Sequence, residues 1–176
     1  MRKTVIKFGI ISSLLMAVGM VINMHFADSI GFDKAMLTGY TVMVISFLMV
    51  FFGVRSYRDN LNGGVISFGQ AFKAGVLIAL MSCLVYVGVW LVLYYNFMPD
   101  FFDKYAAYSI EQLKNAHKSQ AEIDAAMQDM IHFKDMYKNP FFNAAMTFME
   151  PLPVAVIMTL LSAAILRKKK PTPQVA

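Results

Sequence analysis

Residues 35–54 read AMLTGYTVMVISFLMVFFGV, twenty positions without a charge, and the chain continues Arg55-Ser56-Tyr57-Arg58-Asp59. A hydrocarbon core of about 30 Å takes about 20 residues of helix at 1.5 Å each, so this stretch has the length of a membrane span. No water is present there to pair with backbone amides, so the run must be a helix that satisfies its own hydrogen bonds. The two arginines mark its return to water.

Three further runs lie on either side. Val5 to about Met24 is interrupted only by Lys7, whose stem can snorkel to the interface. Ala74 to Phe97 carries no charge, and Phe141 to Leu166 carries Glu150 followed by Pro151 and Pro153. Hydrophobic residues make up 58% of the 176, and charged residues only 15%, well under the roughly 25% of a soluble protein. Such a chain lacks the polar groups to cover a surface in water. The pattern predicts an all-α fold in a single membrane domain. It is a four-helix transmembrane bundle with spans at about 5–24, 35–54, 74–97 and 141–166. A helical extracytoplasmic insert fills 98–139, between spans three and four. The basic start Arg2-Lys3 suggests a signal peptide, but the apolar run is too long. His25 also stands where a cleavage site needs a small residue, so the first helix is expected to be retained.

Charge sets the orientation. Arg2, Lys3 and Lys7 precede or open span one. Arg55, Arg58 and Lys73 flank the connection between spans two and three, and Arg167, Lys168, Lys169 and Lys170 follow span four. These ten of sixteen basic residues fall on one side, with Asp59 as their one acidic neighbour. The positive-inside rule makes that side cytoplasmic, with both chain ends on it. The net charge of +5 is therefore a topology signal, and no nucleic-acid partner is expected.

Boundary residues agree. Ser67 and Gln70 have capping-box spacing at the start of helix three, as do Ser119 and Glu122 within the insert. Pro99 stops helix three, and Asn139-Pro140 supplies a cap and a first-turn proline for helix four. Phe101, Phe102, Tyr105, Ile110 and Leu113, and then Ile123, Met127, Met130 and Tyr137, give the insert two amphipathic helices that pack over the bundle as a cap.

The candidate functional residues are Glu150, Arg55, Arg58 and Asp59. Glu150 is the one acid inside an apolar run, and an intramembrane acid is a functional hypothesis by default. It lies about 25 Å along a helix from Arg167, which places it near the outer interface with its carboxylate toward headgroups or solvent. The prolines behind it predict a kink and a freed carbonyl at Thr147. The Arg55–Asp59 loop suits interfacial anchoring, with anionic headgroups as the alternative partner, because guanidinium forks match phosphates. Small residues recur every four positions at Gly9, Ser13 and Ala17, at Ala71, Gly75 and Ala79, and at Ala155, Thr159 and Ala163. Such stripes pack helices within one chain or between copies in a homo- or hetero-oligomer. Cys83 reads as a buried apolar side chain, and Asp129, His132 and Asp135 read as a charged face rather than a metal site. No phosphate loop, nucleophile elbow or dinucleotide fingerprint is present, so no cofactor and no catalysis are expected.

Several of these stretches together resemble a known family. They are Arg2-Lys3-Thr4-Val5-Ile6-Lys7-Phe8-Gly9, Gly53-Val54-Arg55-Ser56-Tyr57-Arg58-Asp59-Asn60, and Gly64 with Ser67-Phe68-Gly69. Further along come Pro99-Asp100-Phe101, Lys104-Tyr105, Asn139-Pro140 and Thr147-Phe148-Met149-Glu150-Pro151-Leu152-Pro153. The chain is similar to the bacterial membrane family called domain of unknown function 4199, found mainly in Bacteroidota. The resemblance implies a multi-pass protein of the bacterial inner membrane and no particular activity. The chain departs from the family pattern at His117-Lys118, where a glycine is expected near the helical turn. Two functions fit: a non-catalytic membrane component that binds partners or lipids, or a small transporter or channel subunit using Glu150.

Overall fold

The computed structural model describes residues 1–168, apart from the side chain of Asp28. Lys169 and Lys170, part of the basic run after span four, lie outside the described residues. Seven helices follow in order: α1 (Arg2–Ile30), α2 (Phe32–Leu61), α3 (Phe68–Asn96), α4 (Phe101–Asn115), α5 (Gln120–Tyr137), α6 (Pro140–Met149) and α7 (Leu152–Leu166). Four helical stretches are long and apolar enough to cross a membrane: Arg2–Ala27, Phe32–Leu61, Phe68–Asn96 and Pro140–Leu166. They coincide with the four expected spans, the last being α6 and α7 in succession.

The helices outrun the apolar runs. Residues 25–34 are helical up to a turn made by Gly31 alone, at φ +83°, a conformation open to glycine because it has no Cβ. The helices thus run past the ends of the apolar runs, through Asp33 and Lys34 in α2. The predicted capping boxes at Ser67–Gln70 and Ser119–Glu122 are both formed in full, and Asn139 caps α6 through the backbone N–H of Phe141.

Helix α1 packs on α2 and α3, and α7 packs between α2 and α3. The small residues lie where these helices approach. A Cβ added to Gly75 would stand 3.0 Å from Thr159 Cγ2 and 3.2 Å from Val50 Cγ1. The stripes of α3 and α7 thus meet each other inside the chain, with Ala71, Ala79, Ala155 and Ala163 all buried. Large apolar residues such as Leu14, Val18, Leu84, Leu161 and Ile165 cover the outside, as lipid contact requires.

At one end, the end of α2, the start of α3 and the end of α7 are tied together. Ile66 and Lys168 exchange backbone hydrogen bonds of 3.0 and 2.9 Å. Val54, Ile66, Ala74 and Leu166 form a small core there, with Val5 of α1 against it, so the four chain segments bearing Arg2, Arg58, Lys73 and Arg167 share that end. At the other end the hairpin of α4 and α5 sits over the bundle, its Phe101 packed against the main core. The turn between them answers the missing glycine. His117 itself takes φ +53°, with Lys118 N–H donating to Leu113 C=O at 3.1 Å and His117 N–H to Lys114 C=O at 3.0 Å. That is a complete Schellman motif, built at some conformational cost on a non-glycine residue.

Candidate functional site

Glu150 ends α6, and the fourth span breaks at Glu150–Pro151, the position the two prolines mark. The expected free carbonyl is only partly free: Thr147 C=O still accepts from Glu150 N–H at 3.4 Å, a tightened last turn. The carboxylate keeps the expected exposure but is also tied to the bundle. Glu150 is exposed, its Oε2 accepts a 2.7 Å hydrogen bond from the hydroxyl of Tyr86, a buried residue on α3, and it lines a partly open cavity. The carboxylate is engaged with the bundle.

A ladder of polar groups leads to it along one face of α6. Asn143, Thr147 and Glu150, at i, i+4 and i+7, face Trp90 and Tyr86, four apart on α3. Asn143 Oδ1 accepts from Trp90 Nε1 at 3.0 Å and from Thr147 Oγ1 at 3.1 Å, and the Tyr137 hydroxyl approaches Thr147 Oγ1 at 3.4 Å. Asn143 is fully buried, and its Nδ2 has no hydrogen-bond partner among the described residues. Polar pairing across helices fixes their register where apolar packing alone does not.

The cavity, of about 320 Å³, lies between α1, α2 and α3, with residues of α4 also lining it. Its walls carry six methionines, Met16, Met20, Met24, Met36, Met43 and Met98. Five aromatic rings also line it: Phe32, Tyr86, Phe101, Tyr105 and Tyr108. Phe32 stands 5.9 Å from Tyr105 and 5.2 Å from Tyr108, ring to ring, and the Tyr108 hydroxyl donates to Asp33, so the α1–α2 tip is clasped to α4. That hydrogen bond holds the Tyr108 hydroxyl above its usual pKa. The only basic side chain lining the cavity among the described residues, Lys104, pairs with Asp100 at 3.2 Å. A wider cleft of about 740 Å³ runs between α4 and α5, and four of its six charged residues pair with one another: Lys134 with Asp103, Lys138 with Asp135 at 2.8 Å. The Lys138 hydrogen bond holds the Asp135 carboxyl below its usual range. Among the described residues, no three His, Cys, Asp or Glu side chains are grouped to hold a metal ion.

Arg55, Arg58 and Asp59 come together at the opposite end. Arg58 grips Asp59 with both fork nitrogens, at 2.6 and 3.2 Å, and its Nη1 donates to Leu166 C=O at 3.3 Å. The latter is one of the orphan carbonyls at the end of α7. Arg55 stands 3.6 Å from Asp59 and keeps 58% of its side chain exposed, against 19% for Arg58. Arg58 is therefore a clasp between helices, and Arg55 is the guanidinium left facing outward.

Sequence reasoning singled out Glu150 but missed Tyr86, Trp90, Asn143 and the aromatic rings of the cavity. The i, i+4, i+7 polar spacing on α6 was the available signal. Residues 7–168 match the model of the family described as "Protein of unknown function (DUF4199)". Neither a curated protein nor a solved structure matches the chain. By a match that covers nearly its whole length, the chain belongs to that family.

Proposed function

We propose that this family member is a non-catalytic, multi-pass component of the bacterial inner membrane that works by binding a small amphiphilic molecule within its bundle. The chain ends are cytoplasmic and the α4–α5 hairpin lies outside. What supports the orientation is the gathering of Arg2, Arg55, Arg58, Lys73 and Arg167 at one end. What supports the binding role is the cavity: an apolar space at the low end of ligand-pocket volumes, with a few convergent polar groups on its wall. Methionine suits such a wall, because a flexible, polarisable thioether adapts to ligands of varied shape. Arg55 is placed to meet anionic headgroups at the cytoplasmic face.

Native mass spectrometry of the protein released from gentle detergent tests the reading. One amphiphile retained per chain is expected, and its loss in Met20→Trp, which fills the cavity. Failure of the wild type to retain or take up any amphiphile overturns it. Reporter fusions near Asn62 and near Lys118 test the orientation, which an external signal at Asn62 overturns.

A second reading, a transporter or channel subunit, draws support from the Tyr86–Glu150 pair beside the cavity. Its test is ion or proton flux in reconstituted vesicles. On this reading Glu150→Gln abolishes flux, and equal flux from both versions removes it.

A further inference from the structure

The cavity combines three features that together specify a charge and a shape. The first is the Glu150 carboxylate. Its one hydrogen-bond donor is Tyr86, and among the described residues it pairs with no cation. A carboxylate held by a single neutral donor beside an apolar wall favours a positive group as its counter-charge. The second feature is the aromatic lining of Phe32, Tyr86, Phe101, Tyr105 and Tyr108. Aromatic faces attract ammonium groups through the ring quadrupole, and a cage of rings is a recurrent device for recognising alkylated ammonium ions. The third is the methionine wall, which offers an apolar surface but no hydrogen-bonding side chain beyond weak sulfur acceptors. Lys104, which would repel a cation, already pairs with Asp100.

An anionic amphiphile would meet Glu150 as a like charge, and a neutral one would leave the carboxylate uncompensated. An alkylammonium amphiphile satisfies all three features, its head at Glu150 among the rings and its chain along the methionines. Resting on the reading of the cavity as a ligand site, we infer that its ligand is an amphiphile with a positively charged amine or quaternary ammonium head. The head can belong to a membrane lipid of the ethanolamine or choline type or to a free hydrophobic amine.

The single tryptophan of the chain supplies a reporter, since Trp90 lies 4.9 Å, ring to ring, from Phe101 on the cavity wall. The full chain in a neutral maltoside detergent is titrated with decyltrimethylammonium, with decyl sulfate and with decanol, and Trp90 emission is followed. Saturable binding of the cation about tenfold or more tighter than that of the other two is expected, as is a similar loss for the cation in Glu150→Gln. Equal affinity for the three probes overturns the charge assignment while leaving an amphiphile site standing, and no binding of any probe overturns both. If the Gln variant does not fold, the comparison of probes on the wild type still decides. Tyr86→Phe keeps the acid and the ring, and cation preference is expected to survive in it. Its disappearance there would overturn the role given to Glu150. Repeating the titration in nanodiscs of phosphatidylglycerol alone, or with added phosphatidylethanolamine, distinguishes the sources. Competition by the latter assigns a lipid head, and its absence assigns a free amine.

Discussion

The two ends of the bundle are built on opposite plans. At the basic end, small residues let helices close until backbones and short side chains touch, as at Gly75 against Thr159 and Val50. The chain there is sewn by the Ile66–Lys168 bonds and by the reach of Arg58 to Leu166. At the hairpin end, α1 and α2 still approach closely at Gly19, where an added Cβ would collide with Val42 Cγ1, but methionines line the rest, a cavity remains, and contact is made by rings and a few polar pairs. The α3–α7 seam is packed for closeness, the methionine wall for accommodation. Both use the same four spans, so the difference lies in side-chain volume and branching along them, not in topology.

The sharpest way to break this contrast is Gly75→Leu. Overpacking a filled site costs about 1–3 kcal/mol, and here the loss should fall at the upper end because two helices are displaced at once. Reversible unfolding in mixed micelles measures it. Met20→Leu, a volume-conserving change in the cavity wall, should cost under about 1.5 kcal/mol in the same assay. Equal losses would erase the distinction between the ends.

Arg58→Lys comes next. Lysine keeps the charge but loses the planar fork that holds Asp59 and Leu166 together, so a loss of about 1 kcal/mol is expected. The same change at exposed Arg55 should be nearly silent for stability and reduce binding to anionic vesicles. If Arg55→Lys and Arg58→Lys are equal in stability, Arg58 is not a clasp.

The smallest effect is a local one in the hairpin. Glu122 is held down to about 2, chiefly by its hydrogen bond from Lys118 and then by the capping box with Ser119. A depressed carboxyl stabilises the folded form above its unfolded value, near 4.3, and that contribution is lost as pH falls toward 2. Amide exchange at the start of α5 should therefore quicken, relative to the intrinsic rate, between about pH 4 and 2.

Much of this architecture was legible in the sequence because it is written in local periods. Span length, both capping boxes, the proline at the start of α6 and the break behind Glu150 each depend on residues within a turn or two of one another. The partners of the functional residues were not legible. Tyr86 meets Glu150 across 64 positions, and Arg58 meets Leu166 across 108. A stripe of small residues says that something approaches closely, not which helix or in what register. The end of the apolar run near Met24 was no guide to the end of the helix, because α1 continues to Ile30.

That continuation bears on how the chain assembles. A one-residue turn at Gly31 leaves almost no loop to close, so the entropy of joining α1 to α2 is close to the least a helical pair can have. Their pairing is also the most local in sequence, which favours early formation. The α1–α2 pair is the natural first unit to enter the bilayer, already carrying Met16, Met20, Met36 and Met43 on the walls of a half-built chamber. The later helices then arrive at a template and complete an enclosure that was begun before Glu150 had been synthesised.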